Sequence, residues 1–313
     1  MTPRGPDVPI DGIDAFLVRI LGDGTEPAER VADGVSSLVY RVRRGSETLY
    51  LRLAEEGEDM APDVEVHERL RGLGVRVADI VHYEPFADEI GRSVALTTEI
   101  AGTSLIDCTD ERTSRIAARA AGRDLAVLNT VETQGWGFID GDGRPGIRGM
   151  YATRRAWVED VIAPEGRSHL EAAIGSADLA KLDRIVRDEA ERSEPDARLA
   201  HGDFDVSQIY YCDGRYAGII DLGDMLGAEW HYDLAHFLVH DGEQNAYELL
   251  GDVLDGYREV HPVDIEPNDL VLTGVLLAVF RHTRVLARFG EGALTHPYIS
   301  WMTGRIRTLV ERT

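Results

Sequence analysis

Three oxygen-bearing side chains, Asp203, Gln208 and Asp221, stand in a stretch that would bring them to one place. Residues 199–211 read Leu-Ala-His-Gly-Asp-Phe-Asp-Val-Ser-Gln-Ile-Tyr-Tyr, and residues 218–224 read Gly-Ile-Ile-Asp-Leu-Gly-Asp. Between them Asp213-Gly214, flanked by apolar runs, predicts a two-residue hairpin turn. Such a turn sets Tyr211 opposite Tyr216, Ile209 opposite Gly218 and Gln208 opposite Ile219. Gln208 and Asp221 then face each other diagonally across the open end of the hairpin, about 7–8 Å apart between backbones. The loop carrying Asp203 enters at the same end. Two carboxylates and a carboxamide converging there suit a hard cation, which takes oxygen ligands. Taken singly, each acid would read as a solvated turn residue; the pattern as a whole argues for a site.

His201-Gly202-Asp203, four residues, Gln208, then Ile220-Asp221 resembles the signature of the aminoglycoside phosphotransferase and choline kinase-like family, relatives of protein kinases. Tyr232-Asp233-Leu234-Ala235 follows where that family carries Asp-Leu-Ala. The resemblance implies that Asp203 is the catalytic base at an acceptor hydroxyl and that Asp221 is the main magnesium ligand. Gln208 stands where the family has Asn as a further metal contact. It keeps the amide oxygen and adds a methylene, a departure that bears on metal geometry. His201 is expected to brace the loop. Asp233, in the first turn of a helix, is suited to accept backbone N–H groups or to brace the catalytic loop.

Upstream, residues 11–21 read as an amphipathic helix, with Ile13, Phe16, Leu17 and Ile20 on one face. Residues 29–42 and 47–53 read as three strands with two turns. The turn at residues 33–37 is the candidate phosphate-covering loop: Gly34 allows close backbone approach, and Ser36 and Ser37 offer hydroxyls and amides. Alone, it reads sooner as an ordinary turn. In the third strand Leu49, Leu51 and Leu53 alternate with Tyr50 and Arg52, which puts Arg52 on the opposite face from the leucines. By the resemblance, Arg52 takes the place of the phosphate-gripping lysine, through a planar fork rather than a point charge. Its helix partner is then Glu65, with Glu68 one turn on as the alternative. Residues 75–81 and 93–99 complete an N-terminal sheet. Glu99 and Ile100 begin the hinge at residues 99–103, whose backbone would hold the nucleotide base, and Leu105 is a candidate wall of that base site.

Beyond the hinge the signal turns helical, at residues 114–128, 157–162, 177–194, 232–240, 244–261, 269–289 and 298–311. Residues 135–140, with the turn at 141–143, read as packing around Trp136. His236 and His240 stand four apart without the intervening Glu of a zinc protease helix, which favours structural histidines. Asp224, Glu229, Asp241 and Glu243 are candidates for gripping amines on an acceptor.

The 313 residues are 43% hydrophobic and 28% charged, the profile of a globular protein with ample core. The net charge of −23 argues against a nucleic-acid partner and favours a cationic substrate. Acidity that only solvates the surface explains the same number, and Lys181, the only lysine among 33 basic residues, fits a composition bias. The longest apolar run, residues 271–280, is half a membrane span, so no membrane partner is expected. The N-terminus lacks the apolar core of a signal peptide, and Cys108 and Cys212 suggest no disulfide framework; the cytoplasm is the expected address.

The expected fold is α+β and two-lobed, protein kinase-like. Residues 1–100 would form a nucleotide-binding lobe with a five-stranded antiparallel sheet and a helix, and residues 104–313 a mostly helical lobe with the catalytic loop and acceptor site. The expected chemistry is transfer of the γ-phosphate of ATP or GTP, with Mg2+, to a hydroxyl of a small acceptor. A cationic aminoglycoside-type antibiotic leads that class, and choline, homoserine, sugars and fructosamines belong to it. Two rivals fit the same residues. One is a catalytically weak, nucleotide-binding pseudokinase-like protein, suggested by Arg52 and Gln208. The other is a metal-dependent hydrolase using Asp203, Asp221, His231, His236 and His240, which predicts stoichiometric transition metal.

Overall fold

The computed structural model describes residues 8–31, 38–139, 144, 146–162, 164–193, 196–265, 267–289 and 295–313. Helix α1 (Ile10–Leu21) precedes strands β1 (Glu29–Arg30), β2 (Leu38–Arg44) and β3 (Glu47–Leu53). Helix α2 (Ala61–Gly72), β4 (Ile80–Ala87) and β5 (Arg92–Thr98) follow. The strands form one antiparallel sheet in the order β1-β2-β3-β5-β4, the five-stranded sheet expected. Alternation along β2 and β3 sends Tyr40, Val42, Leu49, Leu51 and Leu53 to one face, where Ile13, Phe16 and Leu17 of α1 cover them. Arg52 faces the other way with its register partner Ala95, the side on which Val64 of α2 and Met60, just before that helix, pack.

The remaining elements are mostly helical: α3 (Glu111–Leu128), α4 (Arg154–Glu159), α5 (Pro164–Ile174), α6 (Ser176–Glu191), α7 (Tyr232–His240), α8 (Leu250–Val260), α9 (Pro267–Phe289) and α10 (Pro297–Glu311). Helices α3 and α8 approach closely because their crossing points are glycines. A Cβ on Gly122 would lie 2.1 Å from the Val253 carbonyl oxygen, and one on Gly256 1.8 Å from that of Arg119. Two small sheets carry the loops of interest. One has the order β11-β10-β6, from Arg215–Ile219, Ile209–Cys212 and Thr103–Ser104. The other runs β8-β7-β12-β9, from Gly149–Tyr151, Trp136–Ile139, Leu226–Ala228 and Arg198–Ala200. Among the described residues no helix is long and apolar enough to cross a membrane.

Several expectations are corrected. The strand expected at residues 75–81 is not there: Val75 and Val77 are both buried in a cluster with Leu128, Leu199 and Leu222, and sheet pairing begins only at Ile80. Helix α5 was hidden by Gly166, which reads as a breaker but is the contact with α9, where a Cβ would lie 2.6 Å from the Thr283 carbonyl oxygen. Helix α8 starts at Leu250, not 244, because Asp241 accepts the N–H groups of Leu249 and Leu250 and Asn245 accepts that of Tyr247. Helix α4 starts at Arg154, capped by Thr153, whose hydroxyl accepts the Ala156 N–H. Trp136 stacks on Trp157 with ring centres 5.9 Å apart, so the packing reading of that segment holds; its turn at 141–143 lies outside the described residues.

Candidate active site

The catalytic-loop candidate leaves β9 at Ala200 and is pinned from below by Asp233, in the first turn of α7. Asp233 Oδ2 accepts the His201 N–H at 2.9 Å, and Oδ1 accepts the Gly202 N–H, also at 2.9 Å. Asn129 closes the arrangement, donating to Asp233 Oδ2 at 3.3 Å and to the Leu199 carbonyl at 2.8 Å. His201, fully buried, accepts the Asp203 N–H on Nδ1 at 3.3 Å, so its Nε2–H donates to the Ile220 carbonyl at 2.8 Å. The imidazole thus ties the loop of Asp203 to the residue before Asp221. Gly202 is required twice over: its φ is +88°, and a Cβ would lie 1.8 Å from the Asp224 carbonyl oxygen.

Asp203 is surrounded on the side of the helical elements. Arg281 Nη2 of α9 lies 2.8 Å from Oδ1, and His236 Nε2 of α7 lies 3.4 Å from the same oxygen. Gln208 Nε2 meets Oδ2 at 3.3 Å. Burial opposes ionisation of Asp203, but the Arg281 charge and the His236 contact outweigh it and hold the carboxyl well below the usual range. Arg281 also donates to the Gly202 carbonyl at 2.7 Å and stands 3.8 Å from Asp224 Oδ2. Burial nevertheless pushes the Asp224 carboxyl up.

Hairpin β10–β11 turns at Asp213 and Gly214, with φ of +50° and +71°, as the sequence predicts. Tyr211 pairs with Tyr216, but a bulge between Tyr210 and Tyr211 shifts the rest by one residue. Ile209 lies opposite Ile219 rather than Gly218, and the Gln208 carbonyl accepts the Ile220 N–H at 3.0 Å. Asp221, left-handed at φ +58°, is exposed and opens the short helical turn Leu222–Asp224. Its carboxylate and the amide oxygen of the buried Gln208 are, by their chemistry, donors that fit a hard cation.

Arg52 reaches the same corner. A Cβ on Gly223 would lie 2.7 Å from Arg52 Nη2 and 3.1 Å from Asp221 Oδ1. The expected partner Glu65 is corrected: Glu65 and Glu68 are exposed, and Arg52 Nη1 instead faces Asp63 Oδ1 at 3.6 Å. Helix α2 buries Val66, His67 and Leu70, so its phase turns Asp63, just after Pro62, toward the sheet and the glutamates toward solvent. Burial raises the Asp63 carboxyl, against the pull of Arg52.

In the segment expected as the hinge, Glu99 Oε1 accepts the Tyr50 hydroxyl at 3.3 Å. Gly102, φ +108°, passes so close to Tyr211 that a Cβ would lie 2.0 Å from its carbonyl oxygen, and β6 pairs directly with β10. Leu105 is corrected from base-site wall to core, fully buried among Leu125, Phe204 and Ile209. Gly34, Ser36 and Ser37 lie outside the described residues.

The acids expected to grip amines are largely engaged. Glu229 is buried against Arg154, which also holds Glu189. Asp241 caps α8, and Glu243 Oε2 lies 2.8 Å from His240 Nδ1. Of the two histidines expected to be structural, His236 donates Nδ1–H to the Phe204 carbonyl at 3.0 Å and stacks on His240 with ring centres 4.5 Å apart; His231 Nε2 meets the Thr273 hydroxyl at 3.0 Å. Among the described residues the one group whose ligand atoms converge is Asp203, Asp205 and His236, without Asp221, His231 or His240, the other members of the hydrolase set. Arg281 and Asp63 are the residues the sequence reading missed. A single arginine directly after the apolar run 271–280 was the available signal for the first; the second carried none without the helix phase.

Comparison with known proteins adds the family. A thermostable variant of the aminoglycoside phosphotransferase APH(4)-Ia, solved as a ternary complex with AMP-PNP and hygromycin B, superposes with a TM-score of 0.72 at 16% identity, covering 96% of this chain and 98% of that one. An aminoglycoside-3'-phosphotransferase of type VIII gives 0.60 at 22% identity, over 86% and 98%. A protein assigned as a fructosamine-3-kinase from Haemophilus somnus gives 0.62 at 12%, over 95% and 96%. No curated protein matches the chain in sequence. At these identities the superpositions establish the kinase-like fold. The description "Phosphotransferase enzyme family" belongs to a family model that matches residues 27–265, and on that match, spanning both the sheet and the Asp203 loop, the chain belongs to the phosphotransferase enzyme family.

Proposed function

We propose that this phosphotransferase moves the γ-phosphate of ATP or GTP to a hydroxyl of a small acceptor, with Asp203 as the base. The observation that carries the reading is the Asp203 loop, pinned by Asp233 and His201 beside the exposed Asp221. Such transfer is mostly positioning and electrostatics, so a braced carboxylate and a few charges suffice. Asp203 orients the acceptor hydroxyl and takes its proton. Arg52, held toward the Asp221 turn by Asp63, offers its guanidinium to the nucleotide phosphates. The backbone at Glu99 and Ile100 would hold the base, between the sheet and the helical elements. Asp221 and Gln208 Oε1 would hold Mg2+, which when bound offsets phosphate charge.

The acceptor class remains a small hydroxyl compound. The structural neighbours include a complex with hygromycin B and a protein assigned to fructosamine, and the −23 charge favours a cationic member of the class. The test is the thermal shift of the protein with ATP and with GTP, each with and without Mg2+, beside Asp221→Asn. Nucleotide at 100 times its Kd adds about 2.7 kcal/mol, about 4 °C for a chain of this size. A magnesium-dependent shift lost in Asp221→Asn is expected; no shift with either nucleotide would overturn the proposal.

A further inference from the structure

One nitrogen of Arg281 organises the acceptor side of the Asp203 loop. Nη2 lies 2.8 Å from Asp203 Oδ1, 2.7 Å from the Gly202 carbonyl oxygen and 3.8 Å from Asp224 Oδ2. It therefore grips both the carboxylate and the backbone just ahead of it. Among the described residues no other arginine or lysine pairs with Asp203 or Asp224. Gln208 meets the second oxygen, Oδ2, at a longer 3.3 Å, so Oδ2 is the oxygen with capacity left for a further donor.

The guanidinium is itself held by rigid surroundings. Its neighbours on α9, Val279, His282 and Thr283, are all buried, and the Thr283 hydroxyl donates to the Val161 carbonyl at 3.2 Å. Helix α9 cannot turn or slide without breaking this packing. The Arg281 stem is fixed, and through it the carboxylate.

Resting on the phosphotransfer reading, we propose that Arg281 is the positioning residue of the reaction, clamping the Asp203 carboxylate so that Oδ2 faces the acceptor hydroxyl. A clamp of this kind acts on rate: displacing a reacting group by about 1 Å can cost about 100-fold. The geometry also predicts which replacement works. The three oxygens converge on one nitrogen rather than on the two-pronged fork that distinguishes arginine, so a lysine ammonium can take over. Methionine keeps the volume of the stem and removes the charge.

The experiment measures Mg2+-dependent hydrolysis of ATP by water, which needs no assigned acceptor, in wild type, Arg281→Lys and Arg281→Met, with thermal midpoints for each. A crystal structure of Arg281→Met accompanies the kinetics. In Arg281→Met, kcat is expected to fall by about 100-fold with KM for ATP within about twofold. Arg281→Lys is expected to recover at least a tenth of wild-type kcat, and the Asp203 carboxylate to leave its position in the Met variant. A folded Met variant with kcat within threefold of wild type, a Lys variant as impaired as Met, or an unmoved Asp203 carboxylate would each overturn the proposal. If wild type binds ATP but its hydrolysis is undetectable, the carboxylate position alone decides. A wild type without magnesium-dependent nucleotide binding removes the phosphotransfer reading and this one together, whereas normal turnover with an indifferent Arg281 removes only this one.

Discussion

The Asp233 carboxylate receives the Gly202 N–H at 2.9 Å, and through that bond a residue on α7 sets the backbone from which Asp203 projects. Asp233 is fully buried and its two oxygens serve three donors. Asp233→Asn replaces one acceptor oxygen with an N–H2 facing a backbone N–H. An unmade buried bond costs about 1–3 kcal/mol. The variant is expected to lose about 2 kcal/mol in urea unfolding, and turnover by more than the stability loss explains.

Asp203→Asn keeps the shape of the site and removes the base. Turnover is expected to drop by about 100- to 10,000-fold, the usual range for a lost general base. Nucleotide affinity, measured by calorimetry with Mg2+, is expected to stay within about threefold. Retained turnover would sink the base assignment.

The Arg52 partner separates two readings of α2. Asp63→Asn is expected to weaken nucleotide binding by about fivefold, the equivalent of about 1 kcal/mol for a half-buried ion pair. Glu65→Gln, on the exposed side of the same helix, is expected to leave it unchanged. Titration with ATP and Mg2+ reads both; the opposite order would restore Glu65.

Two buried histidines shape the acid response. Burial lowers His67 and His282 from the usual value near 6.5 to about 4. The folded protein keeps both neutral where the unfolded chain protonates them, so their contribution is complete above pH 6.5 and is lost as pH falls from 6.5 toward 4. Raised carboxyls such as Asp63 and Asp124 act in the opposite sense, so the informative quantity is a difference. His282→Asn is expected to show a shallower fall in unfolding free energy than wild type between pH 6.5 and 4.5. Equal slopes would show that folding does not shift the titration of His282.

What the sequence revealed was local. Asp213-Gly214 named its own turn, the Asp203 loop named its brace, and the span of α7, residues 232–240, was legible beside it. What it concealed depended on contacts between distant segments. The bulge at Tyr210 arises where the β10–β11 pairing must also accommodate β6, and a two-residue turn rule has no knowledge of a third strand. Glu229, Asp241 and Glu243 look like free acids until Arg154, the start of α8 and His240 are placed beside them. Arg281 could be noticed as a charge at the end of an apolar run, but not aimed.

The apolar face of α2 has a consequence for motion. Val66 and Leu70 share a buried cluster with Leu128, Leu199, Leu222 and Met225, all later in the chain than β6, while Met60 and Val64 touch the sheet. The helix follows β3 in the chain and packs on both sides, against β4 of the sheet and against this cluster. In hydrogen exchange a cavity at Leu70 should therefore raise the exchange of β4 as well as of α3, because one helix touches both sides.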